Sequence, residues 1–392
     1  MTSDDTAILS TYKQTELGHV PAAWDVKALR DFARIETGST PPTADPKNYG
    51  DEHLFVSPGD MGVAKWITRT EKRLSAKGFA ASRRFPQGSV LFVCIGSTIG
   101  KCGVASTELT SNQQINAVLP GCDFSSDFLY YALSAATLRV RALAGEQAVP
   151  MVNKSGFAET KVALPPVEEQ RAIAEALSDT DAVIEGLDCL IAKKRDLKQA
   201  AMQQLLTGRT RLPGFEGDWL MQPFGQVLDR LNAKRHQIQV SEYQSTGTYP
   251  VVDQGKEPIV GYSDQADKRF RCPKGGVIVF GDHTCIVKFV DFDFLVGADG
   301  TQILASQPGQ SARFHAYQLQ HAGIESTGYN RHFGHLKNRS FVVPPFAEQT
   351  AIAGVLSGMD AELKGLELRR QKTLALKQAM MQELLTGRIR LI

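Results

Sequence analysis

One stretch of this chain occurs twice, and that repetition constrains the fold more than anything else in the sequence. Val167 to Gly208 reads VEEQRAIAEALSDTDAVIEGLDCLIAKKRDLKQAAMQQLLTG, and Phe346 to Gly387 reads FAEQTAIAGVLSGMDAELKGLELRRQKTLALKQAMMQELLTG. A shift of about 179 residues aligns them without a gap, including the Pro165-Pro166 and Pro344-Pro345 pairs ahead of them. About 27 of 48 positions are identical from the proline pair to Leu212 and Leu391. The chain is a tandem duplication.

Each copy predicts one long helix. Alanine, leucine, glutamine, lysine and glutamate dominate, and all are good helix formers. Proline precedes the start, and Gly208 or Gly387 follows the last turn, where a left-handed residue ends a helix. About 40 residues at 1.5 Å each would span roughly 60 Å, the length of a spacer or coiled-coil arm. Leu177, Ile184 and Ile191 recur every seventh residue with Leu187 between them. Leu356 and Leu363 do the same with Met359 and Leu366. That spacing predicts a coiled-coil seam. The competing reading is two unrelated amphipathic helices on their own domains. The repeated polar residues, such as Lys198-Gln199 and Lys377-Gln378, weigh against it.

The remaining sequence sets outer bounds. A length of 392 residues allows two or three domains. No apolar run reaches the length of a membrane span, and the first twenty residues lack the pattern of a signal peptide, so a cytoplasmic location is expected. Cys94, Cys102, Cys122, Cys189, Cys272 and Cys285 are scattered without metal-binding spacing, as in a reducing compartment. A net charge of +2 does not by itself announce a nucleic-acid binder. Its distribution says more. Lys65, Arg69, Lys72, Arg73, Lys77, Arg83 and Arg84 cluster with Trp66, Phe79 and Phe85. Lys268, Arg269, Arg271 and Lys274 form a second basic set, and Arg331, His332, His335, Lys337 and Arg339 a third. Any such run can equally be a solvated face. All three lie outside the duplicated helices.

The expected organisation is a flexible N-terminus over 1–15, a first domain over 16–164, a helix over 165–212, a second domain over 213–343 and a second helix over 344–392. Each domain opens on a tryptophan, Trp24 or Trp219, read as a buried anchor. After Trp24 the apolar stretch Val26 to Ile35 reads as helical, and Phe224 to Leu231 stands in the same place in the second half. Strands are expected over Gly88 to Ile95, Ile115 to Leu119, Gly276 to Phe280, Cys285 to Val290 and Gln302 to Ala305. Short helices are expected over Phe128 to Leu143 and Ser311 to His321. The fold class is therefore α/β or α+β. The two domains do not align with each other as the helices do.

Catalytic signatures are weak. Gly96-Ser97-Thr98-Ile99-Gly100-Lys101-Cys102 follows a strand and imitates a phosphate loop. It is one residue short between its glycines, and Cys102 stands where a magnesium-binding hydroxyl belongs. The same loop could instead approach a DNA backbone closely. No methyl-transfer motif is present, and Asp282-His283 lacks a nucleophile or paired base. Asn112-Gln113-Gln114 offers amides of the kind that pair with adenine in the major groove, or else a turn with solvated amides.

Taken together, these residues resemble the DNA specificity subunit of type I restriction–modification systems over nearly the whole chain. The repeated Pro-Pro-x-x-Glu-Gln-x-x-Ile-Ala start carries the resemblance (Pro165, Pro166, Glu169, Gln170, Ile173, Ala174, then Pro344, Pro345, Glu348, Gln349, Ile352, Ala353). So does the repeated Leu-Leu-Thr-Gly-Arg end. Thr37 to Pro42, Val56 to Asp60, Ile95 to Lys101 and Asn112 to Asn116 are similar to one type of target-recognition domain. Phe280 to Thr284, Val296 to Thr301 and Gly328 to Phe333 are similar to another.

The resemblance implies two target-recognition domains held apart by an antiparallel, pseudo-two-fold pair of helices forming a coiled coil. Each domain would read half of a bipartite double-stranded DNA site, with helix length setting a gap of roughly 5 to 8 base pairs. The subunit itself would be non-catalytic and hold no cofactor. S-adenosylmethionine, ATP and Mg2+ would belong to two methyltransferase subunits and to translocase–nuclease subunits.

The residues expected at DNA in the first domain are Thr40, Lys65, Arg69, Arg73, Ser97, Thr98, Lys101, Asn112, Gln113 and Gln114. In the second they are Lys268, Arg269, His283, Thr284, Thr301, Tyr329, Arg331 and His332. The partner-binding helix positions are Gln170, Ile173, Leu177, Ile184, Leu187, Gln349, Ile352, Leu356, Leu363 and Leu366. A non-DNA assembly scaffold is the alternative from another class, separated by salt-dependent duplex binding.

Overall fold

The computed structural model describes residues 11–62, 64–145, 149–323 and 331–392. The chain divides into two compact units, Met1–Gly186 with Arg370–Ile392, and Leu187–Arg369. The duplicated stretches form two 39-residue helices, Val167–Leu205 and Phe346–Leu384. Each helix therefore starts in one unit and ends in the other. Both begin after a proline pair with glutamate in the first turn, which suits the positive end of the helix dipole. Beyond their last turns Gly208 and Gly387 both take φ +71°, the left-handed stop that the repeated Thr-Gly predicts.

In the first unit, β1 (Tyr12–Thr15) and β2 (Gly18–Pro21) form a hairpin, and β3 (Asp25–Ala28) pairs with β13 (Lys161–Leu164). A five-stranded sheet runs in the order β4 (Ile35–Thr37), β12 (Ile115–Val118), β9 (Val90–Val93), β10 (Cys102–Ala105), β6 (Trp66–Ile67). A second sheet has the order β7 (Lys72–Leu74), β5 (Tyr49–Val56), β11 (Leu109–Ser111), β8 (Arg84–Phe85). Helices Ser126–Ala135 and Thr137–Ala142 occupy the span expected for one helix. The core gathers Val90 and Phe92 from β9, Phe128, Leu129 and Leu133 from the domain helix, Trp24, and Ile173, Leu177 and Leu384 from the long helices.

The second unit repeats this plan with different residues. β14 (Leu220–Pro223) pairs with β23 (Ser340–Val343) as β3 does with β13. A sheet runs in the order β15 (Leu228–Leu231), β22 (Thr301–Ser306), β19 (Val277–Gly281), β20 (Val287–Val290). That order and its all-antiparallel pairing match β4, β12, β9, β10. A further sheet, β16 (Gln237–Ile238), β21 (Leu295–Gly297), β17 (Tyr249–Val252), β18 (Gly261–Ser263), keeps a central parallel pair, as β5 and β11 do. Helix Ala312–Ala322 stands where Ser126–Ala135 does.

Three expectations are corrected. Val26 to Ile35 is not a helix: β3 and β4 flank a single turn, Leu29–Phe32. β3 alternates, with Asp25 and Lys27 exposed and Ala28 buried, and the apolar density hid this period of two. Phe224 to Leu231 splits likewise into the turn Phe224–Val227 and β15. Residues 12–15, expected to be frayed, are held in β1, and the Tyr12 hydroxyl donates to the Gly387 carbonyl at 2.9 Å. Among the described residues no helix is long and apolar enough to cross a membrane.

Candidate nucleic-acid interface

The repeated Glu-Gln pair mounts each domain on the helices. Glu169 is buried, and its carboxylate accepts from the Trp24 indole at 3.0 Å and from two nitrogens of Arg390. The Arg390 guanidinium also lies over the Trp24 ring, 5.9 Å from its centroid. Gln170, equally buried, accepts from the backbone N–H of Ser125 at 2.9 Å, just ahead of the domain helix, and donates to Pro165 at 2.9 Å. In the second unit Glu348 accepts from Trp219 at 3.2 Å and from two nitrogens of Arg211. Gln349 accepts from the Ser311 N–H at 2.8 Å and donates to Pro344 at 2.9 Å.

One helical layer on, the Tyr131 hydroxyl donates to Asp181 at 2.7 Å, and Lys377 lies 2.5 Å from the same carboxylate. Tyr317, Asp360 and Lys198 repeat that set. In both units the start of one long helix thus runs antiparallel to the end of the other. Gly387 must be glycine for a second reason: a Cβ there would sit 2.4 Å from Pro21 and 3.2 Å from Trp24.

These contacts place the expected partner-binding positions inside the molecule. Gln170, Ile173, Leu177, Ile184, Leu187, Gln349, Ile352, Leu356 and Leu363 are buried, and Leu366 is half-buried. They line the seam and the joints. Val183, Leu190 and Leu197, seven residues apart on the first long helix, are its large apolar side chains left exposed.

The domain surfaces carry the remaining candidates. At one end of the first sheet, the end of β4, the β9–β10 turn and the start of β12 meet. Thr40 donates to Gln113 at 2.7 Å, Asn112 to Gln114 at 2.9 Å, and the Gly38 N–H to the Ile115 carbonyl at 2.9 Å. The β9–β10 turn uses two left-handed glycines, Gly96 (φ +94°) and Gly100 (φ +103°), and exposes Ser97. No helix starts there, which removes the phosphate-loop reading. Lys101 donates to the Pro58 carbonyl at 3.0 Å. Arg83 belongs to this end too: its guanidinium donates to Thr37, and its N–H to Ser39 at 2.7 Å.

In the second domain the matching end holds the β19–β20 turn, with His283 and Thr284, beside Asp299-Gly300 at the start of β22. Next to the end of β15 stand Lys234 and Arg235, which the sequence reading passed over. His236 ties them to the second basic set, its Nδ1 lying 3.0 Å from the Lys268 carbonyl. Their signal, Lys-Arg-His after a strand, is short and easily lost among surface charges. Gln254 was also missed.

Several expected contacts turn inward. Lys65 is buried: its ammonium donates to Ser178 at 2.9 Å, lies 2.6 Å from Asp127 and sits 5.1 Å from the Tyr131 ring centroid. An ammonium so engaged cannot reach a phosphate. The buried Thr301 hydroxyl donates to Gly297 at 2.9 Å. His332 is fully buried against the Asp282 carbonyl, 2.9 Å from its Nδ1. Arg69 and Arg331 are exposed, while Arg73 is half-buried and donates to Glu52 at 3.0 Å. Lys268 and Arg269 are half-buried beside Glu242 and Asp293, at 3.7 and 3.6 Å. Tyr329 lies outside the described residues.

Residues 21–189 match the family model of the type I restriction modification DNA specificity domain. Over that stretch the chain is similar to the family. A type I restriction enzyme specificity subunit (MjaIX) of Methanocaldococcus jannaschii is 30% identical over 181 residues, 45% of this chain and 42% of that one. The HindI specificity subunit of Haemophilus influenzae is 33% identical over 154 residues, 38% of this chain and 33% of that one. The chain thus spans less than half the length of these curated relatives. The crystal structure of a type I restriction–modification S subunit from M. genitalium covers 92% of this chain and 96% of its own, at TM-score 0.63 and 14% identity. A chain from work on assembly and conformational transition of the type I R-M system covers 94% and 99%, at TM-score 0.56 and 16% identity. At such identities these likenesses carry the fold alone. They show the same fold over both halves of the chain.

Proposed function

We propose that this chain belongs to the specificity family, reads a bipartite double-stranded DNA site with one half-site per domain, and performs no chemistry itself. One observation carries the reading. The joints that mount the domains repeat residue for residue, whereas the polar sheet ends that the domains present share a strand order but not a sequence. A frame kept constant under two unlike readers suits recognition of an asymmetric site. Exposed lysines and arginines such as Arg69, Lys72, Arg331 and Lys337 would hold the phosphates, and side chains at the sheet ends would read base edges. S-adenosylmethionine, ATP and Mg2+ would sit on other subunits. Two methyltransferase subunits would dock on outward helix positions such as Val183, Leu190 and Leu197, with restriction subunits joining through them.

The long helices would act as the ruler between half-sites. An insertion near Gln199 would shear the second unit's joint, because Lys198 pairs with Asp360 on one side and Arg211 with Glu348 on the other. The sound perturbation adds seven residues to each helix, after Gly186 and after Arg369, where the units divide. Seven residues preserve the seam and add about 10 Å, or about three base pairs. Single-molecule sequencing of methylated DNA from cells holding the chain and its methyltransferase should show both half-sites unchanged and the gap longer. An unchanged gap refutes the ruler. Binding of duplex DNA without salt dependence would favour a protein scaffold instead.

A further inference from the structure

In the second domain the turn between β19 and β20 is held more tightly than an ordinary surface hairpin. The Gly281 N–H donates to Ile286 at 2.8 Å and the Cys285 N–H to Gly281 at 2.9 Å, which coils the turn back on itself. Cys285 takes φ +56°, the only left-handed non-glycine among the described residues, a conformation that costs an L side chain energy. Gln254, from the segment after β17, grips the turn twice. Its side-chain oxygen accepts from the His283 N–H at 3.1 Å, and its carbonyl accepts from the Thr284 hydroxyl at 2.6 Å. The Gln254 amide lies against Gly300, where an added Cβ would come within 2.8 Å of the amide oxygen and 2.7 Å of the His283 ring. From below, the buried Asp282 is fixed through the Gly300 carbonyl at 2.7 Å and the Phe333 N–H at 2.7 Å. After all this bracing Thr284 is exposed and His283 half-exposed.

The first domain supplies an independent pointer. Its β9–β10 turn occupies the same place in the same strand order, also exposes a hydroxyl residue, Ser97, and stands beside the Asn112–Gln114 amides. There the left-handed positions are glycines; in the second domain the backbone cost falls on a cysteine and neighbouring contacts offset it. Two domains with unrelated residues thus present a braced polar turn at the same sheet end.

Resting on the bipartite-site reading above, the geometry points to the Asp282–Ile286 turn as the specificity-determining element of the second half-site. His283 and Thr284 make base contacts, and Gln254 and Gly300 are positioning residues. The Gln254 amide nitrogen makes no hydrogen bond among the described residues, so it is also a spare donor for a base-edge acceptor. Pre-ordering the turn removes an entropy cost that a loose hairpin would meet on binding.

The test uses the full chain with its methyltransferase in cells, read by single-molecule sequencing of methylated DNA. Thr284→Val keeps shape and removes the hydroxyl, and Gln254→Ala frees the turn. Thr284→Val and Gln254→Ala should relax or change one half-site and lower methylation of the original motif by about tenfold or more. The other half-site and the gap should stay as they are. A purely structural role would weaken both half-sites together and lower the melting temperature, and that result overturns the inference. So does a wild-type motif from both Thr284→Val and Gln254→Ala. A wild-type chain that yields no two-part motif instead overturns the underlying reading, and this inference with it.

Discussion

Replacing Arg211 by methionine should destabilise the second unit far more than replacing its partner Glu348 by glutamine. Glu348 has no exposed side-chain surface, whereas the Arg211 side chain is 26% exposed. Without the guanidinium, the carboxylate stays buried with one remaining side-chain donor, the Trp219 indole. Leaving a buried charge unpaired typically costs about 3–5 kcal/mol. The lower end applies here because water can follow the vacated arginine path, giving about 3 kcal/mol.

Glu348→Gln is the milder change. The amide still accepts from Trp219, and the arginine can turn toward solvent and toward the Gly217 carbonyl that it already reaches at 2.7 Å. A loss of about 1 kcal/mol is expected. The double substitution should cost less than Arg211→Met alone, because the unpaired charge has gone. Urea unfolding of the full chain, completed as a double-mutant cycle, measures all three. The reasoning fails if Arg211→Met costs under about 1 kcal/mol, as an exposed pair would. It fails equally if the glutamine variant is the worse of the two. Arg390→Met should behave alike in the first unit, and the two arginine losses should add, since they share no partner.

Three further outcomes follow from individual side chains. Lys65→Met should lower stability and leave the salt slope of DNA binding alone, while Arg69→Ala should do the reverse, as paired melts and salt titrations would show. Burial pushes the Cys94 and Cys102 thiols up to about 12. Alkylation of the folded chain near pH 8, followed by mass spectrometry, should therefore mark the exposed Cys122 and Cys189 and spare that pair until unfolding. Burial holds His315 down at about 4, below its ordinary value of 6.5, despite a raising contact from Gln318. Its stabilising effect is present above pH 6.5 and is lost as pH falls toward 4, by up to about 3 kcal/mol. His315→Gln should flatten that part of the stability–pH curve.

Whatever depends on near neighbours could be read from the chain itself. The long helices were legible because helix formers, a proline start and a glycine stop act over one turn, and because a second copy confirms each. The strands over Val90–Val93, Ile115–Val118 and Val277–Gly281 were legible as short apolar runs. Local reading failed where a short element borrows its shape from a distant one, as β3 does from β13 across the whole domain. It also failed for Lys65, whose charge looks like any other until Ser178 and Asp127 are brought to it.

The sequence alone determined that this is a duplicated frame with two unlike inserts, since a repeat at constant shift survives without any knowledge of contacts. Only the tertiary structure decided what the repeated letters do: Glu169 meets an arginine 221 residues away, and Gln170 fixes the backbone just ahead of the domain helix. It alone revealed that the inserts share one strand order. Strand order is set by which apolar faces bury one another, and many different side chains satisfy that condition, so no alignment of letters had to preserve it.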